Sequence, residues 1–190
     1  MYTKTYNSPL GLMRMKSDGI YLTGLWFEGS KDDKKNQGKY INKDLPIFEK
    51  TKKWLDIYFS GKKPDFTPKY KIENLTPFRE QVINIMNKIP YGKVVTYKDI
   101  ADEIATSKGI KQMSAQAVGG AVGWNPICII IPCHRVVGKN SSLTGYGGGI
   151  QNKVKLLEIE KNDMSKFTIP TKGTALWKDV NGVIQIIKNT

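Results

Sequence analysis

Two cysteines and one histidine are the residues of this 190-residue chain best suited to covalent chemistry. Two of the three are neighbours: Cys133 precedes His134 in the segment Ile129-Ile-Ile-Pro-Cys-His-Arg-Val-Val137. A free thiol titrates near roughly 8.5, so only a few per cent is thiolate at neutral pH. To act as a nucleophile Cys133 needs a base, and His134 is the only imidazole in the chain. Adjacent side chains rarely bond directly, and a sequence-adjacent Cys–His pair does not give the usual dyad geometry of a thiol hydrolase. The same count excludes a disulfide scaffold and a four-ligand Cys/His zinc site. No metal and no cofactor is expected.

Charge adds a partner class. Lys and Arg number 30 against 17 Asp and Glu, a formal net charge of +13, which suggests a polyanion. The acids are unevenly placed. None occurs from Ile104 to Leu157, where about five would be expected at the chain average. That window carries Lys108, Lys111, Arg135, Lys139, Lys153 and Lys155, together with both Cys and the His. A phosphate backbone would meet no repulsion from it. The longest apolar run, Ile127 to Ile131, is far too short to span a membrane, and the N-terminus lacks the apolar core of a secretory signal. A cytoplasmic protein is expected.

The elements that must position these residues follow from pattern. Tyr2–Asn7, Leu12–Ser17 and Ile20–Phe27 read as short strands, broken at Ser8-Pro9 and at Asp18-Gly19, a hairpin signal. Residues 29–42 are polar and charged and read as a loop. Pro46 to Phe59 reads as a helix with Ile47, Thr51, Trp54, Leu55 and Tyr58 on one face. Residues 61–75 read as a linker. Thr76-Pro77 starts a helix in which Phe78, Val82, Ile85, Met86 and Ile89 recur at helical spacing. Val94-Val95 suggests a brief strand pairing, and Thr96 caps a short helix over Tyr97–Ala105. After a turn from Thr106 to Met113, a second helix runs from about Ser114 to Gly123. The β-branched run Ile127–Ile131 predicts a strand buried on both faces. A glycine-rich loop, Gly145–Gly149, leads into an amphipathic helix over Ile150–Lys161. Asn181-Gly182 suggests a hairpin in the last twenty residues. Helix, turn, helix, strand and loop is the outline of a winged helix-turn-helix.

The second helix of that unit, Ser114-Ala-Gln-Ala-Val-Gly-Gly-Ala-Val-Gly123, is nearly bare. A recognition helix that reads bases carries long polar side chains. Here three glycines cost about 1 kcal/mol each relative to alanine. Tight helix packing is one reason for them. Close approach to nucleic acid, for shape rather than sequence, is the other.

The segment Pro132-Cys-His-Arg-Val136 resembles the active-site motif of the O6-alkylguanine-DNA alkyltransferases, which repair DNA alkylated at O6 of guanine. Asn125-Pro126 upstream, and Gly145-Tyr146 and Gly148-Gly149 downstream, stand at matching spacing. The resemblance covers about Thr76 to Lys161, and the Ser8-Pro-Leu-Gly11 turn and first strands look like the family's N-terminal domain. It implies an α+β fold, with a small antiparallel sheet and helix of ribonuclease H-like type and then a winged helix-turn-helix active-site domain. The implied domains are residues 1–75, 76–170 and a C-terminal extension, 171–190.

The resemblance also implies roles. Cys133 takes the alkyl group irreversibly, in a single turnover, from O6-alkylguanine and also from O4-alkylthymine. His134 is its base through a bridging water, and Glu160 orients the imidazole. Tyr97 and Lys153 complete the catalytic set, Lys153 aiding protonation of the leaving group. The flipped base would be held by Val136, Tyr146, the Gly147 N–H, Asn125 and Arg135. Thr96, Ser114, Ala115, Gln116, Ala117 and Gly119 would lie on the DNA. The implied partner is double-stranded DNA containing O6-alkylguanine, bound by a monomer with no membrane association. Gln116 departs from the pattern: most members carry there an arginine that inserts into the base stack. Gln can fill part of the gap but cannot supply cationic stacking, so either Gln116 suffices, or Lys108, Lys111 or Trp124 helps, or repair is slow. Cys128 falls where some relatives have a pocket proline and reads as a small buried residue. Two other functions stay open, a non-catalytic binder of alkylated DNA and a winged-helix regulator. A reactive Cys133 argues against the first and the bare helix against the second.

Overall fold

In the computed structural model, which describes residues 1–169, the first 27 residues form three antiparallel strands. These are β1 (Tyr2–Ser8), β2 (Gly11–Ser17) and β3 (Leu22–Phe27). At the first turn Ser8 Oγ accepts from the Leu10 N–H and donates to Gly11 O. Gly11 takes φ +112°, which only glycine adopts readily. At the second, Asp18 Oδ1 accepts from the amides of both Ile20 and Tyr21. Those amides leave the ladder, so β3 starts at Leu22 rather than at Ile20.

Residues 29–42 are not simply a loop. Ser30 caps α1 (Lys31–Lys35), and Asp33 accepts from Trp26 Nε1 and from the Gly29 N–H. A two-residue strand, β4 (Ile41–Asn42), then pairs parallel with β1, giving the order β3-β2-β1-β4. Five charged residues carry no apolar period, so this helix rests on caps and tertiary bonds that a hydrophobic pattern does not record. The next helix, α2 (Pro46–Phe59), follows the expected bounds and packs its apolar face on the sheet. Phe48 joins the five residues expected on that face.

The helical half comprises α3 (Pro77–Asn87), α4 (Tyr97–Lys108), α5 (Ala115–Gly123) and α6 (Ile150–Ile159). Thr76 caps α3, Thr96 and Asp99 form a capping box on α4, and Ser114 caps α5. Helix α4 outruns its expected end at Ala105 because the left-handed stop is Gly109. A short parallel pair, β5 (Val95–Thr96) with β6 (Val136–Val137), joins the start of α4 to the Cys133 segment.

The run Ile127–Ile131 corrects the sequence expectation. It is fully buried but is not a strand. Only Ile127 pairs, against Leu25 of β3, through Leu25 N–H to Pro126 O and Cys128 N–H to Leu25 O. The chain then turns through Cys128–Ile130, with Ile129 at φ +67°, a costly conformation for a β-branched residue. Burial on all sides gives the same apolar pattern whether the chain is extended or turning. The pairing also covers the edge of β3, and one continuous buried cluster runs from Met13 to Leu156 through both halves. The hairpin expected near Asn181-Gly182 lies outside the described residues. Among the described residues, no helix is long and apolar enough to cross a membrane.

Candidate active site

The turn after Ile131 carries the nucleophile candidate. Pro132 leads into a single 3-10 turn, Cys133–Arg135, closed by the Val136 N–H donating to Cys133 O. Asn125 sets this turn. Its Nδ2 reaches Ile131 O at 2.9 Å, Ile127 O at 3.3 Å and Cys133 Sγ at 3.1 Å, while its Oδ1 accepts from the Ile127 N–H. One buried amide thus holds the strained turn and contacts the thiol. Cys133 is 7% exposed. Burial pushes its pKa up to about 11, and the Asn125 hydrogen bond only partly offsets this. The resting group is a thiol.

His134 is fully buried, with Nε2 2.7 Å from Glu160 Oε1. Glu160 is the C-cap of α6 and is buried too. Burial works against its charge, but the donors of His134 and then of Arg135 outweigh it and hold the carboxyl well below its ordinary range. An ionised Glu160 requires the proton of the imidazole to sit on Nε2. Nδ1 is then an acceptor, and among the described residues no hydrogen-bond partner is found for it. Burial also lowers the His134 pKa, so the ring is a neutral base at physiological pH.

Arg135, expected among the substrate-binding residues, directs side-chain donors toward Glu160 and the backbone. Nε and Nη2 donate to Glu160 at 2.9–3.1 Å, and Nη1 donates to Ile89 O at 2.8 Å. With the Gly92 N–H on Glu160 Oε2, it fixes the carboxylate.

A second group of expected residues meets on the other side of the turn. Lys153 is fully buried and donates to Val136 O at 2.6 Å and Thr144 O at 2.8 Å. Burial brings its pKa down to about 8. Tyr97 donates to Thr144 O and Gly145 O; burial pushes it up to about 12. Val136 O and Cys133 O each have one donor already, so only their second lone pairs remain for a base. Tyr146 is half-buried beside Cys128. A Cβ on Gly147 would overlap the Asp32 carboxylate, and one on Gly148 would lie 2.8 Å from the rings of Phe27 and Tyr146. These glycines let the loop lie against the first half. Asp32 thereby brings a negative charge toward an otherwise acid-free segment and helps raise the Cys133 pKa.

The outer face is open. Thr96, Tyr97, Ala115, Gln116 and Gly119 line a groove of about 690 Å³. Lys139 and Asn140 line it too, and sequence reasoning missed them. Ser114 acts as the cap, and Ala117 is exposed on the same helix. A Cβ on Gly120 or Gly123 would meet nothing within 4 Å, so tight packing does not account for these two glycines. Trp124 lies under the Arg79 guanidinium at 4.0 Å, and Lys108 over Phe78. Both are engaged away from the groove. Also missed was Tyr58, whose hydroxyl reaches Glu160 from α2. Its helical spacing marked it only as core. Among the described residues no cluster of three metal-ligating side chains occurs.

Comparison with known proteins places this geometry. Residues 77–162 match the family model described as 6-O-methylguanine DNA methyltransferase, DNA binding domain, and residues 1–72 match its ribonuclease-like domain. A methylated-DNA–protein-cysteine methyltransferase of Haemophilus influenzae is 38% identical over 162 residues, covering 85% of this chain and 87% of the relative. An inducible relative of the same name from Bacillus subtilis is 37% identical over 159 residues, covering 78% and 86%. The crystal structure of Mycobacterium tuberculosis OGT in complex with DNA is similar at a TM-score of 0.73 and 35% identity, covering 88% of this chain and 95% of that one.

Proposed function

Because the chain belongs to the 6-O-methylguanine DNA methyltransferase family, and so repairs DNA by alkyl transfer to a protein cysteine, we propose that Cys133 is the acceptor. The observation that carries this is the buried thiol beside a neutral imidazole whose Nε2 is locked onto an ionised Glu160.

The chemistry follows from these states. A thiol near 11 is ionised to only about one part in ten thousand at pH 7. Deprotonation is therefore coupled to the transfer. The thiol proton passes through one water to His134 Nδ1, Sγ attacks the alkyl carbon, and the bond from that carbon to O6 breaks. The electron pair stays on the guanine, which takes up one proton in exchange. In this scheme Tyr97 and Lys153 supply that proton, and Lys153, with a pKa near 8, releases one readily. Glu160 stabilises the transient imidazolium, and Arg135 holds Glu160. S-alkylcysteine has no route back, so each molecule acts once.

The target atom lies within the duplex stack, so the nucleotide is flipped out at a cost of a few kcal/mol. In our reading the groove at α5 lies on the minor-groove side. Gln116 fills part of the gap, Lys139 and Asn140 meet the backbone, and the bare helix permits close approach. Tyr146 and the Gly147 N–H hold the base. The substrate is O6-alkylguanine, with O4-alkylthymine accepted, bound by a monomer that reads residues 76–170 against DNA and uses 1–75 as support. A thiol nucleophile needs a reducing compartment, which places the reaction in the cytoplasm.

Intact-mass analysis after incubation with duplex DNA containing O6-methylguanine tests this. The expected result is a gain of one methyl group on Cys133, absent in Cys133→Ser. An unmodified protein that still binds the damaged duplex would instead favour a non-catalytic binder. DNA affinity should also fall steeply with salt and depend little on sequence.

A further inference from the structure

The first half of the chain contributes a side chain to the base relay that the chemistry above leaves unused. Tyr58 ends the apolar face of α2, fully buried. Its ring stacks on Trp54 at 5.4 Å and meets Phe59, Tyr91 and His134 edge-on. Phenylalanine would satisfy that packing. A buried hydroxyl costs free energy unless it is bonded, and among the described residues this one is bonded at a single place. It donates to Glu160 Oε1 at 2.9 Å and lies 3.3 Å from His134 Nε2. These partners are 102 and 76 positions away in sequence.

We propose that Tyr58 is a positioning residue for alkyl transfer: its hydroxyl shares Glu160 Oε1 with the imidazole, fixing the ring so that Nε2–H stays on Glu160 and Nδ1 remains the acceptor. The inference rests on the reading of His134 as the base. Tyr58 itself stays protonated, since burial and then the Glu160 charge raise its pKa well above the ordinary value. It is therefore a fixed neutral donor.

The groups facing His134 are Glu160 and Lys153 from α6, Arg135 from its own turn and Tyr58 from α2, with Tyr91 behind. Glu160 favours the imidazolium; burial, Arg135 and Lys153 oppose it. The Tyr58 hydrogen bond withdraws charge from the oxygen that faces Nε2. Removing it leaves that oxygen more negative and raises the His134 pKa.

Tyr58→Phe keeps the ring and removes the donor. Single-turnover methyl transfer measured against pH should show its acid midpoint moved to higher pH, with the neutral-pH rate lowered about tenfold. The chain has one histidine, so the imidazole titration read by NMR is unambiguous and should move the same way. A merely structural role would lower the yield of folded protein and leave both midpoints in place. Midpoints that stay or move down in folded Tyr58→Phe overturn the proposal. If that variant does not fold, the wild-type protein decides. A slowly exchanging hydroxyl proton with a nuclear Overhauser contact to the His134 ring is required, and its absence overturns the proposal. His134→Gln separates the two levels: an unchanged rate there removes the base reading itself, whereas a large loss there with an inert Tyr58→Phe removes only this inference.

Discussion

The two faces of the Cys133 turn are built on opposite principles. Behind the turn, Tyr58, His134, Arg135 and Glu160 form a buried hydrogen-bonded network in which each group has little freedom. In front, α5 offers alanine, glycine and a single glutamine to solvent. The buried side sets protonation states, which demands fixed dipoles and low dielectric. On our proposal the open side accepts DNA, a large polyanion, which demands clearance and dispersed charge. A substitution should therefore act through proton chemistry and stability on one side, and through DNA approach on the other.

The largest test of that contrast is Glu160→Gln. It leaves the part-buried Arg135 without its counter-charge and gives His134 a neutral amide oxygen in place of a carboxylate. Stability should fall by about 3–5 kcal/mol, and methyl transfer by roughly a hundredfold or more. Urea unfolding and single-turnover kinetics measure the two losses. A stable, active Glu160→Gln would break the comparison at its strongest point.

Acid unfolding is the second test. The His134 pKa is lowered on folding, mainly by burial, so the unfolded chain binds the extra proton first. Its contribution is complete above about pH 6.5 and is lost as pH falls from there through the lower folded value. Glu160 is also lowered, so its contribution is present above its unfolded value near 4.3 and is lost as pH falls toward its folded value. Urea stability should decline in two windows, and His134→Gln should remove the upper one. A single decline in both proteins would show that His134 titrates as in the unfolded chain.

Smaller effects belong to the open face. Gln116→Arg should speed repair of duplex DNA about tenfold, by cationic stacking into the flipped gap. It should leave transfer from free O6-methylguanine unchanged, and equal effects on both would remove Gln116 from the flipping step. Gly120→Ala should stabilise the fold by about 0.5–1 kcal/mol, since its Cβ meets nothing. It should also weaken duplex binding by about twofold to threefold, the cost of one methyl group held against the DNA. Destabilisation without loss of binding would return this glycine to a packing role.

Much of this was legible in advance, and what was not had physical causes. Thr76, Thr96 and Ser114 marked helix starts because a cap bonds within three residues of itself. Strands and amphipathic helices declared themselves through period. Pro132–Val136 marked the proposed nucleophile and base, and Asn125 and Glu160, named from the resemblance, lie in hydrogen-bond contact with Cys133 and His134. The Arg135–Glu160 contact was not legible because nothing local says whether an arginine after the histidine points outward or back toward a carboxylate. Ile127–Ile131 was misread because burial on every side erases the period that separates a strand from a turn. Tyr58 and Asp32 were invisible for a different reason: their partners lie across the chain, at Glu160 and against Gly147.

The sequence by itself determined the reactive groups, the elements that carry them and the acid-free stretch around them, because each is set by residue identity or by contacts within a few positions. Only the tertiary structure decided their states. The thiol is held near 11 by burial, Lys153 is brought to about 8 by the same cause, and His134 is kept neutral against an ionised neighbour. Those values depend on which groups exclude water and which donors converge on one carboxylate, and the converging donors come from α2, the 90–93 turn and the Cys133 turn, brought together only when the two halves pack.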